Sequence, residues 1–340
     1  MYRTNCWGRM SRVFWWLCAL CLSGTASRRA AADEFSRWQY YADTVVLPQA
    51  DDSFSAVYAD FTRLLERDLK QKGATLDENS IRVAPFEDGK TGAPVPFRFI
   101  KSAGYSAGSA AGTIVFLVAA GKELVERTYR VFFDTPANGP KAEWKSEAEV
   151  PGAANLIWNG SFEILSEGYT GPNRYKNAGA NMPVGWWGNL RNSKLPENAA
   201  KSAHSGQHAL GFVTPAGNTN IGVYAAPSPP GIRVLPGQSY LLSFWVKGED
   251  LTSPHPIYGY LYWYDRDGKY LKRVAVGNLP LRQGQFDWTA VEASVTVPDD
   301  AHYSAVMVGT YSTTGLLTVD DFAMRFAVPP LLTNARPNQS

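Results

Sequence analysis

The run Ile257-Tyr258-Gly259-Tyr260-Leu261-Tyr262-Trp263-Tyr264 decides the fold. Successive side chains of an extended segment point to opposite faces, so Ile257, Gly259, Leu261 and Trp263 share one face while the four tyrosines share the other. The apolar set belongs against a core. Four tyrosines opposite it form a ladder of flat rings with hydroxyls at their edges, suited to stacking on the C–H faces of pyranoses and hydrogen-bonding their hydroxyls. The competing reading of the same ladder is strand propensity alone, with the rings packed under a loop or against another domain.

Working outward, residues 239–247, 289–297, 302–308 and 316–324 are further alternating or apolar runs, separated by Pro236-Gly237, Asp267-Gly268 and Pro298-Asp299-Asp300. Short strands at this spacing, with almost no helical pattern, predict an antiparallel sandwich. Upstream, residues 80–83, 95–100, 113–118 and 127–133 also read as strands bounded by Gly and Pro. One helix is expected over residues 62–72, with Leu64, Leu65 and Leu69 on one face and Gly73 as its stop. The chain is therefore expected to be all-β, with two β-sandwich domains. An N-terminal sandwich spans 36–135, a polar, turn-rich linker 136–152, a second sandwich 153–327, and a flexible Pro-containing tail 328–340.

Residues 1–26 have the pattern of a secretory signal peptide: Arg3, Arg9 and Arg12, an apolar run from 13 to 22, and the small residues Gly24-Thr25-Ala26. Ala30-Ala31-Ala32 is a second acceptable cleavage site, ending the leader at 32 instead. The apolar run falls short of the roughly 20 residues of a membrane span, so no stable membrane insertion is expected. The expected location is secreted, periplasmic or cell-surface. All three cysteines, Cys6, Cys18 and Cys21, lie in this segment, so a mature chain would have no thiol chemistry or disulfide framework. Cleavage after Ala26 leaves 30 of the 33 basic residues against 31 acidic ones. That near-neutral balance offers no basic field for nucleic acid or an anionic membrane, and 11 Trp, 17 Tyr and 16 Phe suit aromatic contact with uncharged ligands.

Four segments occur in order in the second half: Asn159-Gly160-Ser161-Phe162-Glu163, Pro183-Val184-Gly185-Trp186-Trp187, His204-Ser205-Gly206-Gln207-His208-Ala209-Leu210 and Val319-Asp320-Asp321-Phe322. Together they resemble the calcium-dependent, galactose-binding-like jelly-roll modules appended to secreted glycoside hydrolases and polysaccharide lyases, over residues 153–327. The resemblance implies a jelly roll that binds a polysaccharide or glycan. It also implies that Trp186 plugs the core; since adjacent residues of an extended segment cannot both point inward, Trp187 is the expected platform, in addition to Tyr258, Tyr260 and Tyr262, with Arg191 near it able to hydrogen-bond sugar hydroxyls. A structural Ca²⁺ is implied too, held by Glu163 and Asp320 with backbone oxygens around Ser205 and Gln207. Hard oxygen ligands in irregular number suit calcium.

Signals for catalysis are poor. His204 and His208 have the spacing of a helical metal pair but lack the intervening Glu and the helix, and neither a nucleophile elbow nor a phosphate or dinucleotide loop is present. The expected function is a secreted, non-catalytic carbohydrate-binding protein. The alternatives are an adhesion module with a protein partner, reached through the tyrosine face or the N-terminal domain, and a small polysaccharide-active enzyme.

Overall fold

A computed structural model describes residues 35–338, apart from 51, 122–123, 145–149, 166–182, 189–192, 195–202, 214–219, 226–230, 253–256, 280–283 and 312–313. The expected leader, 1–26 or 1–32, lies outside the described residues.

The first half folds into two facing antiparallel sheets. Its strands are β1 (Tyr40–Val46), β2 (Ser53–Asp60), β3 (Asp77–Glu87), β4 (Lys90–Thr91), β5 (Phe97–Lys101), β6 (Ala111–Val118) and β7 (Arg127–Asp134). One sheet runs β2-β6-β5; the other contains β1-β7-β3-β4. Alternation along β6 and β7 sends Ile114, Phe116, Tyr129, Val131 and Phe133 into one core with Phe61, Leu64 and Leu65. The helix is shorter than expected. An α-helical turn at Phe61–Arg63, capped by Asp60 Oδ1 accepting from Arg63 N at 2.9 Å, widens into a π-helical turn at Leu64–Asp68. The wider turn buries Leu64 and Leu65 side by side, and Lys70 then leaves the helix with φ +59°.

The second half is the larger sandwich. Its strands are β8 (Trp186–Gly188), β9 (Ser193–Lys194), β10 (Leu210–Val213), β11 (Asn220–Ala225), β12 (Ile232–Arg233), β13 (Ser239–Thr252), β14 (Ile257–Tyr264), β15 (Tyr270–Leu279), β16 (Gly284–Thr296), β17 (Tyr303–Tyr311) and β18 (Thr314–Phe326). One sheet has the order β16-β13-β18-β10-β9, the other β15-β14-β17-β11-β8 with β12 also on β17. The chain passes repeatedly from one sheet to the other, and every described pairing is antiparallel, giving the jelly roll. From Gly259 to Tyr264 the expected alternation holds: Leu261 and Trp263 are buried in the core with Phe244, Val306 and Val308, and Tyr260, Tyr262 and Tyr264 lie half-buried on the other face. Gly259 is on the inward side because a Cβ there would meet the Val276 carbonyl at 2.7 Å and the Phe244 ring at 2.9 Å.

The described parts of the expected linker and tail are built into the fold instead. Residues 328–340 do not form a loose tail over their described part. After Pro329 and Pro330 the chain brackets Tyr58 of β2, with Tyr58 N donating to the Pro330 carbonyl at 2.8 Å and Leu332 N to the Tyr58 carbonyl at 2.7 Å. It then forms β19 (Arg336–Pro337) against Tyr40 and Tyr41 of β1. Leu332, 2% exposed, and Ala335 enter the N-terminal core, and Asn338 Nδ2 donates to the Phe35 and Trp38 carbonyls at 2.9 Å. The reason is edge pairing: β1 and β2 each have a free side, and this segment satisfies both. The linker is likewise docked. Lys141 Nζ lies 3.0 Å from the buried Asp134 carboxylate, and Arg82 sits between the Trp38 and Trp144 rings while donating to the Ala142 carbonyl. Val150 and Ala154 pack on Ala56 and Val115, on the outer face of the β2-β6 pair.

The sandwiches are joined by a buried latch. Gln49 pairs with the backbone of Arg233 at both ends, accepting from its N–H at 2.8 Å and donating to its carbonyl at 3.0 Å. The Arg233 guanidinium reaches back to the carbonyls of Pro48 at 2.7 Å and Gly121 at 2.8 Å.

Candidate functional site

Strand pairing sets the outer face of the β14 sheet. In an antiparallel ladder, residues opposite one another share a face. Tyr260 stands opposite Met307, Met307 opposite Tyr224, and Tyr224 opposite Trp187. This register runs from β14 through β17 and β11 to β8, and at about 4.8 Å per strand it spans roughly 14 Å. The next position inward, Trp186 opposite Ala225, belongs to the core: Trp186 is buried, its indole N–H donates to the Asn159 carbonyl at 2.8 Å, and its ring packs edge-on against Phe162 and Phe322. Trp186 is thus the core residue expected of the pair. The side chains of Trp187, Tyr224 and Tyr258 lie outside the described residues, as does all of Arg191; Tyr258 takes its register opposite Gly309.

Along the strand, Tyr260 and Tyr262 are half-buried neighbours with ring centroids 6.4 Å apart and planes at 61°. Tyr270 of β15 extends the series, 6.1 Å from both Tyr262 and Tyr264, and is 51% exposed. Arg273 lies over the Tyr260 ring at 5.1 Å. The Tyr262 hydroxyl donates to Met307 Sδ at 3.7 Å, which fixes that ring. Burial, with Tyr262 and Tyr270 nearby, holds the Tyr264 phenol above its ordinary pKa, so it stays a neutral hydrogen-bonding group. The sequence pointed to the tyrosines of β14 but missed Tyr270 and Arg273. Their signal was the hairpin turn Asp265 to Lys269, closed by Asp265 Oδ1 accepting from Asp267 N and Lys269 N; a hairpin brings the next strand alongside β14.

The four residues expected at calcium also meet, at one turn. A β-bulge in β18 places Asp321 at φ +51°, so that Asp320 and Asp321 both reach residues 204–205 instead of pointing to opposite faces. Asp320 Oδ2 accepts from His204 N at 2.9 Å and Ser205 N at 3.2 Å; Asp321 accepts from His204 Nδ1 and Ser205 Oγ, both at 2.7 Å. From the other side Glu163 Oε1 accepts from Gln207 N at 2.9 Å and His208 N at 3.0 Å. Between them Gly206 has φ +60°, and a Cβ there would come within 2.3 Å of Glu163 Oε1. Ser205 and Gln207 therefore present N–H groups to the carboxylates, not carbonyls. Among the described residues no three His, Cys, Asp or Glu side chains are grouped to hold a metal. Asp320 is fully buried, and that burial, with Asp321 beside it, pushes its carboxyl pKa up to about 7.

The same turn meets two tryptophans that the sequence did not single out. The His204 ring stacks on Trp245 of β13 with centroids 3.8 Å apart and planes at 16°, and Trp288 of β16 meets it edge-on at 5.6 Å. Three segments far apart in sequence supply these rings, so no local pattern announces them.

The chain matches no protein-family model and no curated protein sequence. Among solved structures it is similar to a family 16 carbohydrate-binding module, with 16% identity over 50% of this chain and 99% of that one and a TM-score of 0.32. It is also similar to TmCBM61, determined in complex with β-1,4-galactotriose, with 19% identity over 51% and 98% and a TM-score of 0.32. A third is the xylan-binding domain CBM22-1 of Xyn10C from Paenibacillus barcinonensis, with 16% identity over 42% and 86% and a TM-score of 0.33.

Proposed function

We propose that this protein binds carbohydrate through the outer face of its β14 sheet, without turning it over. The observation that carries this reading is the run of half-buried rings Tyr260, Tyr262 and Tyr264 continued by the exposed Tyr270, braced by Met307 and Arg273. Rings already held in place stack on sugar C–H faces at little entropic cost, and their hydroxyl edges meet the sugar hydroxyls. Position 187 of β8 takes its register in the same row, about 14 Å across the sheet, so the proposed ligand is a chain of several sugar units running from β14 towards β8. Arrival at the cell exterior rests on the expected leader.

The test is a glycan array on the mature protein, followed by calorimetry on any hit, with Tyr260→Ala/Tyr262→Ala as the variant. The expected result is binding weakened at least about tenfold in a folded variant, the loss of anchors worth about 1.4 kcal/mol or more. No binding of wild-type protein to any glycan, or binding indifferent to the two tyrosines, overturns the assignment.

A calcium ion belongs to the same proposal as a brace. Glu163 and Asp320 are its side-chain ligands, and the ion supplies positive charge to a buried carboxylate and ties β18 to the 204–208 turn. Saturating calcium should raise the melting temperature of the wild type, in line with ligand linkage, and leave Asp320→Asn unmoved. Equal responses of the two proteins would remove the ion from the site.

A further inference from the structure

Charge on the tyrosine face has one sign. Tyr264 lies between Tyr270 of β15 and Tyr303 of β17, Tyr262 between Arg273 and Ala305, and Tyr260 between Ala275 and Met307. Residues opposite one another share a face, so among these described positions Arg273 is the only charged residue and no carboxylate stands beside the rings. Arg273 is exposed, with its guanidinium 5.1 Å from the centre of the Tyr260 ring, in the path of a chain laid along the ladder. The hairpin adds to it: Arg266, Lys269 and Lys272 are all exposed. Residues 264–273 hold four basic against two acidic side chains, a net charge of +2, as large as that of all 340 residues together. One of the two acids, Asp265, uses its Oδ1 to close the turn. The edge strand of the other sheet, β16, carries the opposite charge, with Asp287 and Glu292 exposed.

We propose that the ligand of the tyrosine face is an anionic polysaccharide, one that carries carboxylate or sulfate-ester groups along its chain. This rests on the reading of that face as a sugar site and adds the class of sugar. The rings take the C–H faces of the sugar units, and Arg273 takes an acid group of the unit seated by Tyr260 and Tyr262. Its planar fork matches two oxygens of one acid group. Arg266, Lys269 and Lys272 act at longer range, drawing in a polyanion through a field that salt screens within about 10 Å at 0.1 M. A neutral chain gains nothing from that field, and an acidic one meets no like charge on the three rows.

The experiment uses the full mature chain against polygalacturonate, alginate and κ-carrageenan, each beside its own carboxyl-reduced or desulfated twin, with polyphosphate as charge without sugar. Affinities are read for wild type, Arg273→Gln, Arg273→Lys and Tyr260→Ala/Tyr262→Ala. At least one acidic chain should bind about tenfold or more tighter than its twin, by a margin that shrinks as salt rises. A polyuronate that leads identifies the acid group as carboxylate, and κ-carrageenan in the lead identifies it as sulfate ester. Arg273→Gln should cut the ratio of acidic to neutral affinity at least about fivefold, with Arg273→Lys keeping part of it. A guanidinium that only braced Tyr260 would lower both affinities and leave their ratio unchanged, which overturns the proposal. Equal binding of the twins, or displacement by polyphosphate as effective as by the acidic glycan, overturns it too. In the first of these the sugar face stands and only its preference for acid falls; no binding to any of the six chains or to any glycan of an array removes the sugar site along with it.

Discussion

The two sandwiches solve the edge problem differently. The C-terminal jelly roll is made from one continuous stretch, and its core residues, from Ile157 to Met324, all come from within it. The N-terminal sandwich borrows its last piece from the far end of the chain: Leu332 and Ala335 fill its core, and β19 pairs with β1. Local sequence can complete the first but not the second. The larger sandwich should be able to hold its fold without the smaller one, whereas the smaller one depends on a segment delivered by the larger.

The sharpest way to break that asymmetry is to remove residues 328–340. The loss of a buried leucine together with the β19 and Tyr58 hydrogen bonds should cost the N-terminal unit about 3 kcal/mol or more. Calorimetry should then show a separate, lower transition and limited proteolysis should spare the jelly roll; a single unshifted transition would show that the segment is dispensable. Next in size is Arg233→Ala, which leaves the Pro48 and Gly121 carbonyls without their charged donor. A cost of about 2–3 kcal/mol is expected, seen as uncoupling of the two units into two melting transitions, and coincident melting would place the coupling elsewhere.

A smaller effect should be confined to the jelly roll. Gly206→Ala forces a Cβ into the left-handed region and against the Glu163 carboxylate, for about 1–2 kcal/mol. Denaturant unfolding should show that loss in the C-terminal transition alone, and a neutral Gly206→Ala would mean the turn relaxes freely. The smallest stability effect belongs to Tyr260→Ala/Tyr262→Ala. Half-exposed outward rings should cost each unit little, within about 1 kcal/mol, while glycan binding drops. A large loss of stability would make the ladder a packing feature and return weight to the bland reading of strand propensity.

Much of the fold was legible because it rests on period. Alternation in residues 257–264 alone assigned Leu261 and Trp263 to the core and the tyrosines to the outside, and turn residues such as Asp267-Gly268 marked the hairpin that follows. Side-chain direction along a strand is a local property of the backbone, so a single sequence carries it. The candidate site was legible to the same extent: the β14 tyrosines were visible, while Tyr270 and Arg273 depended on where β15 docks.

What only the tertiary structure decided are the choices among distant partners. Nothing local in Pro329-Pro330 through Pro337 says that this segment should lie on β1 and β2 rather than hang in solvent, because a free strand edge is a demand made elsewhere in the chain. Nothing local pairs Gln49 with Arg233, stacks His204 on Trp245, or aims Glu163 and Asp320 at one turn from opposite sides. Hydrogen-bond donors and acceptors are generic, and which ones meet is settled by the packing of the whole. The sequence by itself determined an all-β chain with an outward tyrosine ladder; the closure of one sandwich by the end of the chain and the latch between the two were set by the tertiary structure, since each depends on groups brought together from far along the chain.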